Sequence, residues 1–151
     1  MLVLIVDDRE DNRYLLRALM LGHGHTVDEA PHGERALELA RVHAPDLVVC
    51  DLLMPVMDGY TLLRHWKADP ALSPIPFIVY TATYTEPKDE QLALDMGADA
   101  FLIKPAEPDA FMACVERVMA NAQRHWAVRA PTVSTDTQLK LYSEVLVHKL
   151  E

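Results

Sequence analysis

Short aliphatic runs, each ending in a polar residue and followed by a stretch with helical spacing, organise most of this chain. Leu2-Val3-Leu4-Ile5-Val6 gives way to Asp7-Asp8. A run that is apolar on both pleat faces predicts a strand covered on two sides, not one half open to water. Asn12 to Leu21 has helical spacing, with Tyr14, Leu15, Ala18 and Leu19 placed to bury one face before Gly22-His23-Gly24. Thr26 to Ala30 reads as a weaker strand nearer an edge. Gly33 to His43 reads as a second helix burying Ala36, Leu37, Leu39 and Ala40, which Pro45 prevents from continuing. Asp46 to Cys50 then forms a third strand, and it ends in Asp51.

The same alternation continues. A third helix begins near Gly59 and carries Leu62, Leu63 and Trp66 at core spacing. After the proline-rich connection Pro70 to Pro76, a fourth strand runs through Tyr80 and ends in Thr81. Lys88 to Met96 is predicted helical, with Gly97 as a left-handed cap. Ala100 to Ile103 is a fifth strand ending in Lys104-Pro105. The last helix takes Asp109 as its N-cap and turns Phe111, Val115, Val118 and Met119 inward. Strict strand–helix alternation predicts an α/β fold, a doubly wound parallel sheet with helices on both faces.

Composition narrows the function classes. The chain has 151 residues, half of them hydrophobic and a quarter charged, which suits one domain with a real core. No apolar run approaches the roughly eighteen residues of a membrane span. Met1 leads into aliphatic residues and two aspartates, not into a basic secretion leader, so a cytoplasmic location is expected. A formal charge of -9 argues against nucleic-acid binding, which needs clustered lysine and arginine. Cys50 and Cys114 lie inside apolar stretches, without metal-ligand spacing, and read as buried small hydrophobes.

Proline, serine and threonine crowd Arg129 to Thr137, after which Leu139, Tyr142, Leu146 and Leu150 recur at helical intervals. Residues 1–126 are read as the main domain, 127–137 as a linker and 138–151 as an amphipathic linker helix. At this length such a helix is unstable alone in water. It is expected to lead to a further domain, and it offers a seam for a homodimer. The alternative is an extra helix packed back on the main domain.

The chemistry lies at the strand ends. Asp7, Asp8, Asp51, Thr81 and Lys104 each follow or close an apolar run. Open α/β sheets bind ligands at that edge. Any one of these residues alone is an ordinary cap or loop residue; five converging on one edge form a site. Three packed carboxylates repel one another unless a cation neutralises them, and Mg2+ suits an all-oxygen ligand set. Asp8 and Asp51 are expected as direct ligands, Asp7 through a bound water, and Leu53 through its carbonyl. One oxygen of Asp51 can then attack phosphorus, Lys104 can spread the developing charge, and an acyl phosphate results. The Thr81 hydroxyl can donate to a phosphoryl oxygen. Phe101 is either a core aromatic or a ring that turns inward when Thr81 moves. Met54-Pro55 with Met57-Asp58-Gly59 reads as a tight loop, and a cis Lys104-Pro105 bond would aim the lysine into the site.

Asp7-Asp8, the block Asp51-Leu52-Leu53-Met54-Pro55-Val56-Met57-Asp58-Gly59, Thr81-Ala82 and Lys104-Pro105 together resemble the response-regulator receiver domain of two-component phosphorelays. The resemblance covers about residues 1 to 124. It implies a flavodoxin-like five-stranded sheet of order 2-1-3-4-5. It further implies that Asp51 is the phosphoacceptor, charged by a phosphohistidine of a histidine kinase or histidine phosphotransfer protein, with Thr81 and Phe101 as switch residues. Leu53 and Thr83 fall where family side chains tune hydrolysis, and an apolar Leu53 implies slow self-dephosphorylation. The tail resembles the connecting helix after N-terminal receivers of sensory kinases and other multidomain signalling proteins, leading to a kinase or output domain. Two rival classes stand beside this one. A dehalogenase-like phosphohydrolase would want an acid where Leu53 stands, and a phosphorylation-independent interaction module would not need the complete site.

Overall fold

In the computed structural model, residues 1–83 and 85–129 are described. The elements alternate as β1 (Leu2–Val6), α1 (Glu10–Gly22), β2 (Thr26–Ala30), α2 (Gly33–Val42), β3 (Leu47–Cys50), α3 (Gly59–Ala68), β4 (Phe77–Thr81), α4 (Pro87–Asp95), β5 (Ala100–Ile103) and α5 (Pro108–Arg129). All strands run parallel, in the order β2-β1-β3-β4-β5, the flavodoxin-like arrangement. The weak second strand does form one edge.

The strand pleat sorts the aliphatic residues into two cores. Leu4 and Val6 of β1 face one way, with Val48 and Cys50 of β3, and meet Ala36, Leu37 and Ala40 of α2 and Leu62, Leu63 and Trp66 of α3. Val3 and Ile5 face the other way, with Leu47 and Val49, and meet Leu16 and Met20 of α1 and Phe111, Val115 and Val118 of α5. This double coverage is why the strands carry no polar alternation.

Several boundaries and one helix face differ from expectation. Helix α1 starts at Glu10 and buries Leu16 and Met20; Tyr14 and Leu15 are 58% and 67% exposed, and Ala18 is exposed too. The helix has apolar residues on two sides, and the short turn out of β1 decides which side meets the sheet. Helix α2 stops at Val42, with His43 as its cap. Strand β4 starts at Phe77, after Pro76, and includes Thr81. Helix α4 opens with Pro87 at its first turn, and the Glu86 N–H donates to the Asp89 carboxylate at 3.1 Å. Gly97 does take a left-handed φ of 110°. Helix α5 starts at Pro108, so Asp109 lies in its first turn and is not the cap. It extends to Arg129, which makes residues 127–129 helical, while the rest of the expected linker and the 138–151 helix lie outside the described residues. Among the described residues no helix is long and apolar enough to cross a membrane.

Candidate phosphoacceptor site

Register alone brings the strand-end residues together. Val6 pairs with Cys50 and Thr81 with Ile103, and the ladder continues past the strands. The Asp51 N–H donates to the Val6 carbonyl at 2.9 Å, and the Lys104 N–H to the Thr81 carbonyl at 2.9 Å. The residues following β1, β3 and β5 therefore share one edge. Gly59 closes the loop after β3, where a Cβ would sit 2.2 Å from the Asp51 carbonyl oxygen, so only glycine fits.

At that edge Lys104 Nζ donates to Asp7 Oδ2 at 2.5 Å and to Asp51 Oδ2 at 2.9 Å. Asp7 and Asp51 are 2% and 8% exposed. The other Asp51 oxygen, Oδ1, accepts the Leu52 N–H at 2.7 Å and that of Leu53 at 3.4 Å. Asp7 Oδ1 accepts the Arg9 N–H at 3.0 Å and Asn12 Nδ2 at 3.5 Å. Burial by itself would lower the Lys104 pKa, but hydrogen bonds and charge from Asp7 and Asp51 outweigh it and hold the ammonium above its ordinary value. Beside it, burial pushes the Cys50 thiol well up, with the Asp51 charge adding to the effect. That thiol donates to the Asp51 carbonyl at 3.0 Å and is a packing group, not a nucleophile.

Asp7, Asp8 and Asp51 offer carboxylate oxygens that all lie within 4.8 Å of one another. Three carboxylates facing a single ammonium leave uncompensated negative charge, and every donor is a hard oxygen, so the cluster fits a hard divalent cation. Asp8, the exposed member, has no part in the lysine bridge.

Thr81 is fully buried, and its hydroxyl oxygen accepts the Thr83 N–H at 3.2 Å. Phe101 lies across from Val79 and is half-buried against the core that α2, α3 and α4 cover. Leu53 joins the site through its backbone, while its side chain is 52% exposed. Lys104–Pro105 is a cis peptide.

Two supports were not singled out in the sequence. Arg13 Nη1 donates to the Asp7 carbonyl at 2.8 Å. The Tyr80 hydroxyl accepts the Ala106 N–H at 3.0 Å, and its ring lies 5.4 Å from Lys104 Nζ. The available signal for Arg13 was an arginine three residues before the buried Leu16, on the sheet side of its helix.

A family model described as the response regulator receiver domain matches residues 3–116. The gliding motility regulatory protein of Myxococcus xanthus is 40% identical over 102 residues, a match that spans 68% of this chain but only 13% of that protein. Protein PilH of Pseudomonas aeruginosa is 34% identical over 119 residues, covering 79% of this chain and 98% of PilH. A solved signal receiver domain of a signal transduction histidine kinase from Syntrophus aciditrophicus superposes with a TM-score of 0.74 at 30% identity, covering 88% of this chain and 96% of that one. Family, fold and acidic edge agree: the chain belongs to the response-regulator receiver domains and is a phosphoacceptor signalling switch.

Proposed function

We propose that Asp51 accepts the phosphoryl group, from a phosphohistidine on a histidine kinase or histidine phosphotransfer protein. The observation that carries this is the Asp51 carboxylate at the sheet edge, tied to Lys104 at 2.9 Å and clustered with Asp7 and Asp8. An Asp51 oxygen forms the new bond to phosphorus as the phosphorus–nitrogen bond to the donor imidazole breaks, and the imidazole leaves with a proton. Lys104 offsets the charge that gathers on the phosphoryl oxygens. Mg2+ is the expected cation, and the Asp8 and Asp51 carboxylates, with Asp7 and the Leu53 carbonyl, would hold it. When bound it supplies positive charge against both the carboxylates and the incoming phosphoryl group.

The Thr81 hydroxyl already accepts the Thr83 N–H and retains its own proton to donate to a phosphoryl oxygen. Its buried position makes that reorientation a packing event, and Phe101, half-buried on the neighbouring strand, is the ring that would follow. Exposed apolar Leu53, Val56 and Ile103 at the acidic edge, with Tyr14 and Leu15 on nearby α1, support docking of another protein there. The Leu53 side chain cannot orient a hydrolytic water, so the acyl phosphate is expected to be long-lived. Leu53→Glu should shorten its half-life several-fold, as followed by loss of the phosphoprotein band after the donor is removed. The same apolar residue stands where a dehalogenase-like phosphohydrolase needs an acid.

The decisive experiment incubates the chain with Mg2+ and acetyl phosphate and measures intact mass. Wild type should gain one phosphoryl group and D51N none; equal labelling of the two would exclude Asp51 as the acceptor.

A further inference from the structure

The Asp7 carboxylate is held by Lys104, the Arg9 N–H and Asn12. The Asp8 carboxylate has no hydrogen-bond partner among the described residues, yet its oxygens lie within 4.8 Å of those of Asp7 and Asp51. With no side-chain partner to hold it, Asp8 is positioned by its neighbours only through the backbone, which places its Cα–Cβ bond. The Asp7 carbonyl and the Asp8 N–H belong to one planar peptide group, so fixing that oxygen fixes the plane from which Asp8 departs. Arg13 Nη1 donates to that oxygen at 2.8 Å. Arg13 is in turn steadied from the neighbouring strand: its Nε lies 3.5 Å from Glu29 Oε1, and Glu29 Oε2 takes Arg17 Nη1 at 2.5 Å. The side chains of Arg13 and Glu29 are only 17% and 25% exposed, which sets this network apart from a loose surface pair.

We propose that Arg13 is a positioning residue for the cation site: braced by Glu29 of β2, it holds the Asp7–Asp8 peptide so that the Asp8 carboxylate faces Asp51. The inference rests on the phosphoacceptor reading above and adds a residue outside the acidic cluster. A guanidinium beside a divalent cation repels it, so removing Arg13 would tighten Mg2+ binding if only its charge mattered. Loss of a brace loosens it.

The test titrates Mg2+ into the full chain as wild type, R13A and R13K, reading heat of binding and the metal-induced rise in thermal midpoint. R13A should weaken affinity about tenfold, the scale seen when supports of metal ligands are removed. R13K keeps the charge but not the planar fork that spans Asp7 and Glu29, and should weaken it about threefold. At saturating Mg2+ both variants should take phosphoryl from acetyl phosphate at close to the wild-type rate, so the loss shows as a raised half-saturating metal concentration. Unchanged or tighter binding by R13A overturns the proposal. If R13A does not fold, R13K decides: wild-type affinity overturns the brace, and weaker affinity upholds it. A wild type that fails to bind Mg2+ removes both this inference and the metal-dependent reading, whereas normal wild-type binding and labelling with unaffected variants removes only the brace.

Discussion

Single residues carry most of this site's chemistry, and the sequence displayed many of them because the peptide ladder does the positioning. Asp7, Asp51 and Lys104 meet because each follows a strand, and parallel register stacks strand ends, with Thr81 closing β4 between them. Arg13 was not legible in that way, since its contact with the site is to a backbone carbonyl, which leaves no trace in residue type. Val56 was equally hidden. It takes a φ of 67°, and the Met57 N–H reaches back to the Pro55 carbonyl at 2.7 Å, a γ-turn centred on a β-branched residue. Val56 is 73% exposed, so no packing compensates for the positive φ. Val56→Gly, which has no Cβ to strain a positive φ, is expected to raise stability by about 1 kcal/mol, as read from urea unfolding, with labelling of Asp51 retained.

Elements were recovered in order and type, because aliphatic runs and helical spacing are local properties. The exception is the inward face of α1. Tyr14, Leu15 and Ala18 form as good a stripe with Leu19 on paper as Leu16 and Met20 do, and local sequence cannot rank the two, although Leu19 itself packs inward as expected. The turn Asp7-Asp8-Arg9 is stapled by the Arg9 N–H to Asp7 and by Arg13 to the Asp7 carbonyl, and this sets the rotation with which the helix begins. A pair of truncations separates the faces. Leu16→Ala should cost about 2–5 kcal/mol by opening a cavity in the core. Leu15→Ala should stay within about 0.5 kcal/mol, as an exposed change does. Equal losses on denaturant unfolding would return the helix to its expected orientation.

At the scale of the molecule, one ammonium ties strand β5 to β1 and β3 across the sheet edge. Lys104 is 13% exposed and engages both Asp7 and Asp51. Its folded pKa is raised, so its stabilising effect is fully present below the ordinary lysine value and is lost as pH climbs through the folded one. The stability difference between wild type and K104M in chelator should therefore be largest at neutral pH and shrink in strong alkali. At neutral pH that difference should reach about 3–5 kcal/mol, because the two carboxylates lose their counter-charge. Added Mg2+ should recover part of it. Tail-dependent dimerisation is a separate expectation from the spacing of Leu139, Tyr142, Leu146 and Leu150. Deleting residues 132–151 should lower the sedimentation coefficient to that of a monomer, and no change on deletion would count against it.

Read alone, the chain shows the alternation of strands and helices, the two-sided coverage of the sheet, and that an acidic trio, a threonine and a lysine end its apolar runs. These follow from local hydrophobic period and from which residue ends each run. Packing between elements settles which side of α1 is buried, that Lys104 bridges Asp7 and Asp51 at once, and that Arg13 reaches the Asp7 carbonyl from the sheet side of its helix. Those outcomes depend on rotation and distance between elements far apart in the chain, and such quantities are set by packing the whole sheet, not by any one segment.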